Sequence, residues 1–321
     1  MNRPVALLAA LVLAAVSVSS ACMANSASDL RFELKPSARS GQLQLALWSG
    51  RDRHNGLIGS SFAANDLSGI DPAMLRLPGE RPISFSYVRE AGRIDCSGTA
   101  RDSVATGRCT FAPNTGFGDF LASSGIGRPT RDDAYEMTMT GVSRDLVNVL
   151  AQYRYPRPTI EKLTELSAVG VNRPFIASFA GRSYAPKTLN DLTEFAALDV
   201  TPAYVDALAR SGVRGLSGDE ITELKAVGVD PAFIASLASA GYRNLSVDEL
   251  EQMAALQINA AFINSFARIG YANLPVDTLV QLKALDVTPE YVRSLQSHGL
   301  TPGSADELVK LKAVGLSTDE R

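Results

Sequence analysis

The chain has 321 residues, 45% hydrophobic and 20% charged, with a formal net charge of −3, enough for two domains or one extended array. With no basic excess, basic run or acidic tail, neither a nucleic acid nor a charge-driven partner is implied. Two histidines and one tryptophan leave a thin supply for metal or aromatic chemistry.

The N-terminus, MNRPVALLAALVLAAVSVSSACMANSA, has Arg3, an apolar run from Val5 to about Val18, and then small residues. The run falls short of the roughly 20 residues of a membrane span, and it reads as a secretory signal over residues 1–21. Ser19 and Ala21 suit cleavage before Cys22. The stretch SSAC loosely resembles a lipobox, although Ser19 stands where a large aliphatic residue is usual. Cys22 is thus a candidate lipidation site, the alternative being plain secretion with the residue removed or idle. A linker over 22–29 follows. The expected location is a bacterial periplasm, or the outer membrane as a lipoprotein, with membrane contact only through a lipid on Cys22.

Residues 30–112 read as β structure. In QLQLALW, Leu43, Leu45 and Leu47 share one face, and Gln42, Gln44, Ala46 and Trp48 the other. ISFSYV (83–88), RIDCSGTA (93–100) and GRCTFA (107–112) continue the style between Gly, Pro and Asp clusters. Asn55–Gly56 is a hairpin signal, and DPAMLRL (71–77) fits one helical turn. The expected domain is a small antiparallel sandwich or barrel. Cys96 and Cys109 are placed symmetrically about Asp102–Ser103, so a tight hairpin sets them opposite each other. Export supplies an oxidant and a redox CxxC setting is missing, so the pair reads as a structural disulfide. Trp48 shares its strand face with glutamines, which makes it either a covered ring or a partner contact.

From Pro113 the chain repeats with a period of 29 residues. Phe117, Leu146, Phe175, Tyr204, Phe233, Phe262 and Tyr291 keep one beat, and Val142, Val171, Val200, Val229, Ile258, Val287 and Leu316 another. Each aliphatic position precedes an N-cap residue by one: Ser143, Asn172, Thr201, Asp230, Asn259, Thr288 and Ser317, with Asn114 continuing the series backwards. Pro202, Pro231 and Pro289 fill the first helical position, and Gly212, Gly241, Gly270 and Gly299 suit left-handed stops. A second helix starts at Thr130, Thr159, Thr188, Ser217, Ser246, Pro275 and Ser304, with capping boxes expected in SGDE, SVDE and SADE. It stops at Gly141, Gly170, Gly228 and Gly315, with Asp199, Gln257 and Asp286 as departures. Two short helices per unit bury their apolar faces only by stacking. The fold expected is α+β: the β-domain over 30–112, then an α-solenoid of seven units within 113–321. Segment 134–142 is ambiguous, since Tyr135, Met137 and Met139 alternate like a strand.

GRCTFAPNTGFGDFLASSG leading into GVDPAFIASLASAGYRNLSVDELEQMAAL is similar to a group of uncharacterised exported bacterial helical-repeat proteins. It also resembles the C-terminal extensions of β-lactam-sensing antirepressor-type membrane metallopeptidases. The resemblance covers roughly residues 83–315. The peptidase's HExxH is missing: Asn-Gly follows His54 and Gly-Leu follows His298. No catalytic role carries over.

A Ser-His-acid or Cys-His site needs a histidine beside the nucleophile. His298 falls in the last turn of a repeat helix and His54 in a turn with Arg51 and Arg53, so neither reads as catalytic. Two histidines also argue against zinc, and neither a calcium loop nor a phosphate loop is recognisable. Asp219/Glu220, Asp248/Glu249 and Asp306/Glu307 are the candidate carboxylate pairs, but they recur in first turns, as capping acids do. The repeated aromatics read as core, with the hydroxyls of Tyr155, Tyr184, Tyr242 and Tyr271 in water. Ser178, Ser236, Ser265 and Ser294 read as spacers for helix packing. The expectation is a protein without catalytic residues, metal or cofactor, binding a protein or peptide of the cell envelope through its repeats. The alternatives are a glycan or peptidoglycan hydrolase using two carboxylates, and an extracytoplasmic small-ligand sensor.

Overall fold

The computed structural model describes residues 30–38, 42–49 and 58–316. The signal segment, Cys22, His54, the Asn55–Gly56 turn and Ser317 lie outside them.

Among the described residues seven strands form one antiparallel sheet: β1 (Leu30–Pro36), β2 (Gln42–Ser49), β3 (Ile58–Ala63), β4 (Leu67–Ser68), β5 (Arg81–Arg89), β6 (Gly92–Arg101) and β7 (Val104–Pro113). Their order is β3-β2-β1-β7-β6-β5-β4, so every neighbour but β1–β7 is a neighbour in sequence. The edge strands β3 and β4 are themselves joined by one 3-10 turn, Ala64–Asp66. The sheet therefore curls into a nearly closed barrel and is not a sandwich. Two ring contacts across non-adjacent strands mark the closure: Phe32 of β1 meets Phe85 of β5 edge-on at 5.1 Å, and Phe62 of β3 meets Tyr87 of β5 at 5.0 Å. Leu43, Leu45 and Leu47 point inward, as their alternation implies. The turn DPAM gives a short helix, α1 (Pro72–Leu75), capped by Asp71.

The β6–β7 hairpin turns on Asp102 (φ 50°) and Ser103 (φ 66°), the left-handed pair of a two-residue turn. That register places Cys96 opposite Cys109, with Cα atoms 4.1 Å apart, and the disulfide is formed.

Among the described residues fourteen further helices follow. They are α2 (Thr115–Ser123), α3 (Arg131–Thr140), α4 (Arg144–Gln152), α5 (Ile160–Ala168), α6 (Arg173–Ser178), α7 (Leu189–Ala197) and α8 (Pro202–Arg210). The rest are α9 (Gly218–Ala226), α10 (Pro231–Ser239), α11 (Val247–Ala255), α12 (Ala260–Ala267), α13 (Val276–Ala284), α14 (Pro289–Ser297) and α15 (Ala305–Ala313). The ambiguous segment 134–142 is helix α3 and its left-handed stop. A capping box between Thr130 and Asp133 starts it and Gly141 (φ 79°) ends it. Tyr135 faces Phe111 of the barrel, and Thr138 sits over Gly92, where a Cβ would meet its hydroxyl at 2.8 Å.

The N-cap series holds in the structure: Asn114, Ser143, Asn172, Thr201, Asp230, Asn259 and Thr288 each accept from a first-turn amide. Of the three expected capping boxes, Ser217–Glu220 and Ser246–Glu249 form. At Ser304 the box is incomplete, because the Glu307 carboxylate accepts from Gly303 N instead. The departures from glycine at the second-helix stop change the residue but not the conformation: Asp199, Gln257 and Asp286 have φ of 51°, 56° and 52°.

The chain divides into two compact units. One runs to Ala180 and includes Pro186–Ala197; the other comprises Gly181–Ala185 and Leu198 onward. In the first, the barrel core is continuous with Ala134 and Tyr135 of α3. A second core joins Phe117, Leu121, Leu146, Leu150, Leu163 and Leu192. Second helices pack on second helices, α3 on α5 and α5 on α7. In the second unit α9, α11, α13 and α15 pack in series and α10 packs on α12.

Candidate functional site

Chemistry-bearing side chains collect in two places, one on the barrel and one on the helices. Outward-facing positions of the sheet line up in register. One row runs Trp48–Arg31–Arg108–Ser97–Ser84 across β2, β1, β7, β6 and β5. The next runs Thr110–Asp95–Ser86–Ser68 across β7, β6, β5 and β4. A groove of about 460 Å³ lies over the two rows on β4–β7. Within it Arg93 Nε donates to both Asp95 oxygens at 2.6 and 2.8 Å, and Ser86 Oγ donates to Asp95 at 2.5 Å. The Ser86 hydrogen bond, with Arg93 adding, holds the Asp95 carboxyl below its ordinary value. Trp48, the candidate contact residue, is half-buried at the far end of the first row.

On the second helices the expected acid pairs sit in first turns, Glu220 and Glu249 in capping boxes. Other carboxylates have a different setting. In the second unit, burial and then Asp219, Glu220 and Asp248 push Glu223 above its ordinary value. Burial, Glu223 and Asp248 do the same to Glu251. In the first unit, burial with Asp133, Asp132 and Glu161 raises Glu136. Like charges are thus stacked from one repeat to the next, and no lysine or arginine pairs with Asp219, Glu223, Asp248 or Glu251 among the described residues. The repeat position of Glu136, Glu165, Glu194 and Glu223 becomes Gln252, Gln281 and Lys310 farther along. The sequence carries this ladder openly, but the stronger capping pattern in the same turns masks it.

The remaining candidates are absorbed by structure. His298 Nδ1 lies 2.8 Å from the Ser294 carbonyl of its own helix, so that nitrogen carries the proton. Ser178, Ser236 and Ser265 donate back to the carbonyls of Phe175, Phe233 and Phe262. Lysine ammoniums cover three of the first-helix aromatics: Lys225 over Tyr204 at 4.6 Å, Lys283 over Phe262 at 5.1 Å and Lys312 over Tyr291 at 4.5 Å. The expectation of wet tyrosine hydroxyls fails. Tyr155, Tyr242 and Tyr271 donate to the carbonyls of Pro186, Leu274 and Pro302, one repeat on, at 2.7, 2.5 and 2.7 Å. Tyr184 accepts from Arg182, which also pairs with Asp206.

Among the described residues no group of three or more His, Cys, Asp or Glu is placed to hold a metal ion, and no helix is long and apolar enough to cross a membrane. Compared with known proteins, the chain matches no family model, no curated protein and no solved structure.

Proposed function

We infer that this is an exported binding protein whose two-helix repeats stack as an α-solenoid and engage a protein or peptide partner of the bacterial envelope. The resemblance to antirepressor-type repeat extensions belongs with this reading. The observation that carries it is the carboxylate ladder of α9 and α11. Asp219 and Asp248 lie in first turns, where the helix dipole favours an acid, but Glu223 and Glu251 do not. The repulsion of Glu223 with Asp248 and Glu251 across a repeat boundary is one that capping does not explain. A basic segment laid along the second helices neutralises them, and the extended face of stacked repeats suits such a segment.

The test is affinity capture from envelope extract with the mature chain, beside a variant carrying Asp219→Asn, Glu223→Gln, Asp248→Asn and Glu251→Gln. A partner held by the wild type, released by salt and lost from the variant supports the reading. Equal retention by both baits, or hydrolytic turnover of a glycan or peptidoglycan substrate, overturns it.

A further inference from the structure

We propose that the outer face of the barrel is a binding site for an acidic saccharide, a sugar chain bearing carboxylates. The first row places Arg31 directly opposite Arg108 on adjacent strands. Like charges in directly opposed positions destabilise a sheet. Neither guanidinium has a carboxylate within ion-pairing distance among the described residues, and Glu33, next along that face, pairs with Lys35 at 3.8 Å. The Nε–H of Arg31 is in addition buried without an acceptor. Each guanidinium carries a planar fork of N–H donors that a carboxylate matches, and the register puts the two residues on adjacent strands of one face.

The surroundings select the rest of the ligand. Beyond Arg108 the row continues into the hydroxyls of Ser97 and Ser84, with Thr110 and Ser68 in the parallel row. None of these four hydroxyls forms a hydrogen bond within the chain among the described residues. Hydroxyls that both donate and accept complement sugar hydroxyls. The neighbouring Arg93–Asp95–Ser86 network is already satisfied and fixes the groove wall. A volume of about 460 Å³ is that of an ordinary ligand site. This site lies on the barrel and uses none of the helical carboxylates.

Trp48, the chain's single tryptophan, ends the same row and serves as the reporter. The experiment titrates the mature chain with an oligogalacturonate, with maltotriose as a neutral sugar and with inorganic phosphate, following tryptophan emission and binding heat. The expected result is saturable binding of the oligogalacturonate only. Arg108→Gln and Arg31→Gln each weaken it at least tenfold while circular dichroism stays unchanged and Tm holds or rises, as relief of two opposed like charges requires, and Arg108→Lys weakens it less. No saturable binding, equal binding of maltotriose or phosphate, or wild-type affinity in a folded Arg108→Gln chain overturns the proposal.

Discussion

Gly98 and Gly107 face each other across the β6–β7 hairpin, both on its inward face, and neither position has room for a side chain. A Cβ on Gly98 would lie 2.0 Å from the Thr106 carbonyl oxygen. One on Gly107 would lie 2.2 Å from the Ser97 carbonyl oxygen and 2.7 Å from the Phe32 ring. The paired glycines let the two strands approach closely and leave the barrel interior to Phe32, which packs on Phe85.

Gly107→Ala is therefore expected to destabilise the barrel by about 2–4 kcal/mol, because the nearest obstacle is backbone and cannot step aside. Urea unfolding followed by the emission of Trp48 measures it. A cost below about 1 kcal/mol is incompatible with the close approach described.

Removing the staple has a related effect. Cys96 and Cys109 are almost fully buried within the barrel core and close a loop with a sequence separation of 13. Replacing both by alanine is expected to cost about 3 kcal/mol. In the folded wild type, reduction by dithiothreitol should be slow and should accelerate in denaturant, since the sulfurs are reached only on opening. Thiol labelling under both conditions separates these rates.

A third expectation concerns the tyrosines that tie one repeat to the next. Tyr242→Phe removes the hydroxyl that donates to Leu274 and should cost about 1 kcal/mol. Burial pushes Tyr155 and Tyr204 up to about 12, from an ordinary value of 10. The folded chain thus prefers the neutral phenols. Their contribution is complete below pH 10 and is lost as pH rises from 10 towards 12. Alkaline unfolding in that window, tracked by tyrosinate absorbance and far-ultraviolet dichroism together, checks the sign.

The repeat was legible because its signals are local. A capping oxygen at Asn172 or Thr201 needs only the next three residues, and the symmetry of Cys96 and Cys109 needs only a two-residue turn. What the sequence hid depends on long-range geometry. No spacing rule shows that the Tyr242 hydroxyl reaches Leu274, or that β7 returns to pair with β1 and curls the sheet. The Arg31–Arg108 opposition was invisible for the same reason, since the two residues meet only once that closure is known. Segment 134–142 read ambiguously because Met137 and Met139 sit on opposite sides of a helix whose buried faces touch both the barrel and α5, so both positions are apolar.

The second-helix stop offers a paired test. Gly228 (φ 82°) and Gln257 (φ 56°) hold the same repeat position and the same left-handed backbone. A side chain there costs roughly 1–2 kcal/mol, offset in part by the greater freedom of glycine in the unfolded chain. Gln257→Gly should stabilise by about 0.5–1 kcal/mol, and Gly228→Ala should destabilise by about 1 kcal/mol. Equilibrium unfolding of both variants must give opposite signs. Equal signs would show that side-chain contacts of Gln257, and not its backbone, decide the position.

The carboxylate ladder sets the last prediction, because relieving it should stabilise the chain and weaken its binding at once. Burial and the neighbours Asp219, Glu220 and Asp248 raise Glu223 above its ordinary 4.5. A raised carboxyl favours its protonated form in the folded state. That contribution is present below pH 4.5 and is lost as pH climbs through the higher folded value, leaving the charged, repelled form at neutrality. Glu223→Gln mimics the protonated state, so it should raise Tm at pH 7 by about 1–2 °C and have little effect at pH 4. Salt should narrow the difference at pH 7, since screening weakens the repulsion that the substitution removes. If the same substitution also lowers affinity for a captured basic partner, the fold is giving up stability at the surface that does the binding. A Tm gain unchanged between pH 4 and pH 7 would remove the like-charge ladder as its cause.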